Sequence, residues 1–148
     1  MMIREMREED YEEVYALWQS VKGMGLRSID DSKEGICRFL KRNPSTSIVA
    51  VENEKVVGSV LCGHDGRRGC FYHVSVHSGH RRKGFATQMV SVAMEALKKE
   101  KISKVTLIAF KKNDIGNKFW NTIGWLRRDD LNYYEYTLNE ENITAFVE

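Results

Sequence analysis

The chain has 148 residues, enough for one domain that buries about two-thirds of its unfolded surface. A hydrophobic share of 42% beside 30% charged residues fits a globular protein, and a net charge of +2 excludes the strongly basic balance of a dedicated nucleic-acid-binding domain. Cys37, Cys62 and Cys70 are odd in number and lack metal-ligand or redox spacing, so they read as reduced thiols of a cytoplasmic protein. The start Met1-Met2-Ile3-Arg4-Glu5 has no apolar signal segment, and no run approaches about 18 apolar residues, so neither secretion nor membrane spanning is expected.

In chain order, Met2 to Met6 reads as a short strand and Glu9 to Val21 as a helix. That helix puts Tyr11, Val14, Tyr15, Trp18 and Val21 on one stripe and acids in its first turn. Lys22 to Ser32 is a polar, glycine-containing connection. Lys33 to Arg42 is a second helix, ended by Asn43-Pro44. Ser47 to Glu52 and Lys55 to Gly63 predict a hairpin around Asn53-Glu54, and the turn cluster Gly63 to Gly69 leads into a strand over Cys70 to Val76.

The next stretch is the most telling. Val74 to Thr87 reads as the end of a strand, a basic loop with Arg81, Arg82, Lys83 and Gly84, and the first turn of a helix. Ala86, Met89, Val90, Ala93 and Leu97 recur at the spacing of one buried helical face. A helix N-terminus carries unpaired N–H groups and about half a positive charge; three cations and a glycine in front of it make a phosphate cradle. Lys83 precedes Gly84, which excludes the P-loop order, and the single glycine of the turn excludes the dinucleotide fingerprint. Taken alone, the loop also fits a basic surface turn that merely starts a helix.

Downstream, Lys104 to Phe110 is an apolar, β-rich run expected to be a buried strand. Asn113 or Asp114 can cap a following helix on which Ile115, Phe119 and Ile123 share a face, and Gly124 suits its C-terminal stop. Trp125 to Arg128 and a strand over Leu131 to Leu138 come next. Asn139 to Glu148 is a last short helix or a frayed tail.

Two stretches carry a family resemblance. Arg81-Arg82-Lys83-Gly84-Phe85-Ala86 resembles the Arg/Gln-x-x-Gly-x-Gly/Ala pyrophosphate loop of the GNAT superfamily of N-acetyltransferases, preceded by the Val-x-Val of Val74 to Val76. Asn113 to Trp125 resembles the family's later motif, an Asn at a strand mouth, a helix, an aromatic and a Gly-aromatic exit. The likeness spans essentially the whole chain. It extends to small bacterial acetyltransferases with Gly-His-Asp-Gly-Arg-Arg-Gly, here Gly63 to Gly69, and Phe-Trp-x-x-x-Gly-Trp, here Phe119 to Trp125.

What the resemblance implies is a single α/β GNAT domain over residues 1–148: a mixed, mostly antiparallel twisted sheet flanked by helices. In that fold the fourth and fifth strands, here Cys70 to Val76 and Lys104 to Phe110, splay apart around the acyl thioester. It implies acetyl-CoA as the acetyl donor, and no metal. The backbone of Val74, Ser75 and Val76 would pair with the pantetheine arm. Arg81, Arg82, Lys83, Gly84, Phe85, Ala86 and Thr87 would hold the pyrophosphate, and Asn113 the pantetheine or thioester region. Trp120 stands where the family often has a Tyr and would shape the pocket or polarise sulfur, since an indole N–H donates but does not ionise usefully. Lys118 would reach toward the 3′-phosphate.

Acyl transfer needs a neutral amine, a stabilised oxyanion and a tolerable leaving thiolate, whose thiol pKa is near ~8.5. His73, beside Val74 to Val76, is the candidate base. Strand alternation leaves its direction undecided, so a ring turned to the far face and a water-relayed deprotonation both stay open. The stretch Thr106 to Ala109 has no acid where some relatives carry a Glu base. Tyr134 is the candidate acid, with Tyr133 and Tyr136 as alternatives; Tyr134 and Tyr136 share a face with Leu138 and read also as core aromatics. Arg27, Asp30 and Asp31, or Arg67 and Arg68, are candidate acceptor contacts, each also readable as a solvated turn residue.

The expected acceptor is a small-molecule amine or a protein N-terminus, with no nucleic acid and no membrane, on a monomer or homodimer. Two other classes remain. A catalytically silent acyl-CoA-binding module would keep the loop and lose acid and base. A nucleic-acid or phosphoprotein module would use the arginines as a patch.

Overall fold

The hairpin around Asn53-Glu54 organises the sheet. Both turn residues have positive φ, 52° and 63°, the left-handed pair that a two-residue loop with the twist of its strands requires. They join β3 (Ile48–Glu52) to β4 (Lys55–His64). β1 (Met2–Glu5) pairs antiparallel with β3, and β5 (Gly69–Val76) with β4. β6 (Val105–Thr106) joins β5 in parallel, which gives the order β1-β3-β4-β5-β6. The computed structural model describes residues 1–148 and realises the expected α/β architecture, a mixed and mostly antiparallel sheet between helices.

Alternation along the central strands feeds two apolar clusters. Val49 and Leu61 face one side, with Val14 and Trp18 of α1 (Tyr11–Gln19) and Ile36 and Leu40 of α2 (Lys33–Arg42). Ile48 and Val60 face the other, with Met89, Val90, Ala93 and Leu97 of α3 (Phe85–Lys99). Each of the Val, Leu, Ile and Met side chains contributes about 1.5–3 kcal/mol by leaving water. α4 (Asp114–Thr122) packs Phe119 and Trp120 against the α3 side. No helix is long and apolar enough to cross a membrane.

Five expectations are corrected. The first helix begins later than Glu9, at Tyr11, behind a 3-10 turn over Glu8–Asp10. Asp10 is drawn out of the α-helix by Arg4, whose guanidinium donates to both carboxylate oxygens at 2.8 Å. The polar connection contains a strand, β2 (Gly25–Arg27). It pairs with β7 (Thr144–Phe146), so the C-terminal segment is neither a helix nor frayed.

The run Lys104 to Phe110 keeps a ladder only at Val105–Thr106, and Ile108 and Phe110 are exposed. Leu131 to Leu138 forms no strand. Its alternation suits a sheet, but the ladder of β6 ends at Thr106, and a strand forms only where an edge takes its hydrogen bonds.

Candidate active site

Two irregularities of β5 build the site. On one edge its pairing with β6 stops after Gly69↔Val105 and Cys70↔Thr106, so the strands part and the edge from Phe71 to Val76 is open on that side. On the other edge the register shifts: Tyr72 faces Leu61 and Ser75 faces Ser59, so His73 and Val74 together oppose Val60. This is a β-bulge, and His73 carries its strain with φ at 47°.

The bulge decides what alternation leaves open. Phe71 and His73 should share a face; instead Phe71 packs with the α3 cluster, while the His73 ring lies 4.6 Å from the Trp18 ring of α1. His73 Nε2 is 2.9 Å from Asp31 Oδ1, and the two side chains are 12% and 5% exposed. Asp31 Oδ2 accepts from the Arg27 amide at 2.8 Å, and its backbone carbonyl accepts from the Tyr11 hydroxyl at 2.7 Å. Beneath the ring, Trp18 Nε1 donates to Ser59 Oγ at 3.0 Å, which pairs with Ser75 Oγ at 3.1 Å. Asp31 is therefore turned inward, and Asp30 accepts from Asn142 Nδ2 at 2.8 Å, so the two carboxylates do not form one surface pair.

Downstream of β5, the basic loop is shaped by two left-handed residues, Arg82 at φ 65° and Gly84 at φ 81°. Gly84 is the N-cap of α3, and the first amide to find a protein acceptor is that of Gln88, on Gly84 O at 3.1 Å. No backbone N–H from Arg81 to Thr87 donates within the protein. With Arg81, Arg82 and Lys83 exposed beside them, these amides form an anion nest at the positive end of a helix of 15 residues. Arg81 Nε donates to Val76 O at 3.3 Å, which ties the nest to the open strand. Glu52 sits at its border, accepting from His80 Nδ1 at 2.7 Å and facing Lys83 Nζ at 3.7 Å. Desolvation alone would raise the Glu52 carboxyl; the hydrogen bond from His80 and the charge of Lys83 hold it below the ordinary range.

Across the opening, Asn113 caps α4 by accepting from the Gly116 amide at 3.0 Å. A Cβ at Gly116 would stand 2.5 Å from Asn113 Nδ2, so a side chain there displaces the capping Asn113. Trp120 lies in an aromatic cluster with Phe119, Trp125 and Phe71, at ring separations of 4.9, 4.7 and 6.4 Å. It thus spans from α4 to β5. Tyr134 stands in solvent, 87% exposed, and Tyr136 is equally exposed.

Sequence reasoning missed a nearer phenol. Tyr72 precedes His73 on β5 and meets the Phe39 ring of α2 edge-on at 6.0 Å. Tyr72 is about half exposed; partial burial, then the neighbouring Cys70 thiol, pushes its hydroxyl up to about 12, so it remains a hydrogen-bond donor at neutral pH. It also missed the partnership of Asp31 with His73. The only local signal for that pair is an acid just before the cap of α2.

The profile of the Acetyltransferase (GNAT) family matches residues 2–125. An acetyltransferase of Yersinia pestis (strain Pestoides F) is 35% identical over 114 residues, which cover 77% of this chain and 79% of that one. Two solved structures are similar in fold. The PaiA N-acetyltransferase of Thermoplasma acidophilum, in complex with coenzyme A, has a TM-score of 0.74 at 14% identity, covering 97% of this chain and 95% of that one. The ribosomal-protein-alanine N-acetyltransferase of Brucella melitensis biovar Abortus 2308 has a TM-score of 0.68 at 21% identity, covering 92% and 98%. With the parted strands, the anion nest and this match over most of its length, the chain belongs to the GNAT family and is an acetyl-CoA-dependent N-acetyltransferase.

Proposed function

We propose that the protein transfers the acetyl group of acetyl-CoA to a primary amine by direct attack in a ternary complex, with His73 as the base. The observation that carries this reading is the continuity of three features. An open β5 edge over Val74 to Val76, the unpaired amides of Arg81 to Thr87 and a polar His73 on the α1–α2 side follow one another within one strand–loop–helix unit. Pantetheine pairs with the open edge as an added strand, while the pyrophosphate takes the nest and its three cations. Asn113 and Trp120 close the opposite wall.

The amine approaches from the side of α1, α2 and the Arg27–Asp31 loop, where His73 takes a proton from its ammonium. The free amine attacks the thioester carbon, and an amide of the open edge stabilises the oxyanion. Collapse expels the thiolate, which departs without a strong acid because thiol pKa values lie near ~8.5. The remaining excess proton of the attacking nitrogen passes to the thiolate or to water to leave the neutral amide. Tyr134 has no part in this sequence of steps, and a hydrogen bond from Tyr72 fits the leaving sulfur better. The acceptor is a small-molecule amine or a protein N-terminus, the latter in line with the name of the Brucella protein. The protein acts in the cytoplasm without a metal.

Calorimetric titration with acetyl-CoA, followed by a free-thiol assay over amines, polyamines, amino acids and N-terminal peptides, tests this. Binding with turnover on one class supports the proposal. Binding without turnover favours a silent acyl-CoA-binding module, a reading to which the packed Trp120 in the usual tyrosine position lends weight. Absence of binding removes the assignment of Arg81 to Thr87.

A further inference from the structure

We infer that Asp31 is a positioning residue that fixes the tautomer of His73, so that Nδ1 is the atom that accepts the proton. This rests on the reading of His73 as the base. A carboxylate only accepts hydrogen bonds, so at 2.9 Å from Asp31 Oδ1 the Nε2 atom carries the ring proton and Nδ1 keeps its lone pair.

The pair is built, not incidental. Asp31 and His73 lie 42 residues apart in sequence, on different elements, and both side chains are almost buried. No lysine or arginine neutralises the Asp31 carboxylate: its side-chain partners are the Arg27 amide and the His73 ring. Burying an acid without a cationic partner is costly, and here the Arg27 amide and the His73 ring are what offset it. His73 in turn reaches Asp31 only because the bulge turns it across the sheet.

Several contacts hold the Asp31 carboxylate in register. The Tyr11 hydroxyl donates to the Asp31 carbonyl at 2.7 Å. Asn142 Oδ1 accepts from the amides of Ile29 and Asp30 at 2.9 and 3.1 Å, so the segment leading into β7 straps the loop. Ser32 caps α2 by accepting from the Gly35 amide at 3.0 Å. As His73 protonates, the imidazolium lies against a carboxylate that is already oriented, and the Nε2 proton stays where it is.

Asp31→Asn gives a sharp test because the Arg27 amide decides which end of the new side chain is which. Arg27 N–H needs an acceptor, so the Asn oxygen takes that place and its NH2 faces His73 Nε2. Nε2 must then accept, the proton moves to Nδ1, and the base loses its lone pair. Nitrogen-15 NMR of histidine-labelled full-length protein reads the tautomer without any acceptor substrate. The Nε2–H form is expected in the wild type, and the Nδ1–H form in Asp31→Asn.

With acetyl-CoA and whichever amine of the panel is turned over, kcat should fall by about 10²- to 10⁴-fold, the range a positioned general base contributes, while KM for acetyl-CoA stays within about twofold. Asp31→Glu, which keeps the carboxylate, should retain the wild-type tautomer; it serves equally if Asp31→Asn proves unfolded by circular dichroism. An unchanged tautomer in folded Asp31→Asn, or an Nδ1–H form in the wild type, overturns the inference. Full kcat in His73→Ala instead removes His73 as the base and leaves the tautomer result standing as a test of the pair.

Discussion

Lys83 and Glu52 face each other at 3.7 Å across the border of the anion nest, and Glu52 also accepts from His80 at 2.7 Å. The same carboxylate therefore orders the loop and places a negative charge beside the proposed pyrophosphate position. Charge repulsion should dominate, because the phosphate groups of acetyl-CoA carry several charges and Lys83 is half exposed. Glu52→Gln is expected to bind acetyl-CoA about three- to tenfold more tightly at low salt and to lose that advantage in high salt. Calorimetry at two ionic strengths measures it. Weaker binding at both would show that the carboxylate's ordering of His80 and Lys83 matters more than its charge.

Gly84 tests the nest itself. Its φ of 81° is open to glycine and strained for other residues, whereas space is not limiting: a Cβ there meets only Gln88 Nε2, at 3.7 Å. Gly84→Val should cost about 1–3 kcal/mol of stability through backbone strain, which leaves the fold intact. Acetyl-CoA affinity should fall by about 100-fold as the amides lose their alignment. Unchanged affinity in the folded variant would refute the loop assignment.

Local chemistry made part of this fold legible. The Asn53-Glu54 turn, the strands beside it, helix α2 over Lys33–Arg42, the Asn113 cap and the Gly124 stop all depend on residues within one turn of each other. So does the basic loop, where Gly84 and the buried spacing of Met89, Val90, Ala93 and Leu97 lie side by side. What escaped depends on distant partners. Ser28 and Ile143, which extend the β2–β7 pair, meet across 115 residues, and nothing in either segment alone announces the other. The face of His73 hangs on one inserted residue in the ladder, which inverts the parity that alternation relies on. Leu131 to Leu138 shows the opposite error: its alternation is that of a strand, but pattern supplies only half of a ladder.

Gly35 is where packing and the His73 pair meet. Its amide caps onto Ser32 Oγ at 3.0 Å, and a Cβ would overlap the carbonyl oxygens of Ile29 and Asp30, backbone atoms that cannot swing aside as a side chain can. Gly35→Ala must therefore push the Ile29–Asp31 segment away from α2. Overpacking of this kind costs about 1–3 kcal/mol. The larger effect should be on turnover, because Asp31 moves with its neighbours while the nest at α3 does not. The expected outcome is a fall in kcat of at least about tenfold with acetyl-CoA affinity unchanged, read by calorimetry and the thiol assay together. Equal losses in both would indicate general unfolding.

Acid should act on the fold through Asp10. Burial raises its pKa, but two hydrogen bonds from Arg4 and one from the Arg7 amide outweigh that and hold it below the ordinary aspartate range. A carboxyl whose folded pKa is depressed contributes stability that is fully present above its unfolded pKa and is lost as pH falls through the folded value. Asp10→Asn removes the charge at every pH, so the variant should be less stable than wild type at pH 7, by about 1–3 kcal/mol with allowance for the partial exposure of Arg4. That gap should hold down to about pH 4 and shrink below it, as wild-type Asp10 takes up its own proton. Urea midpoints at pH 7, 5 and 3 measure the gap directly. A gap that stays constant to pH 3 would mean that Asp10 stabilises through the shape of the 3-10 turn alone, with its charge contributing nothing.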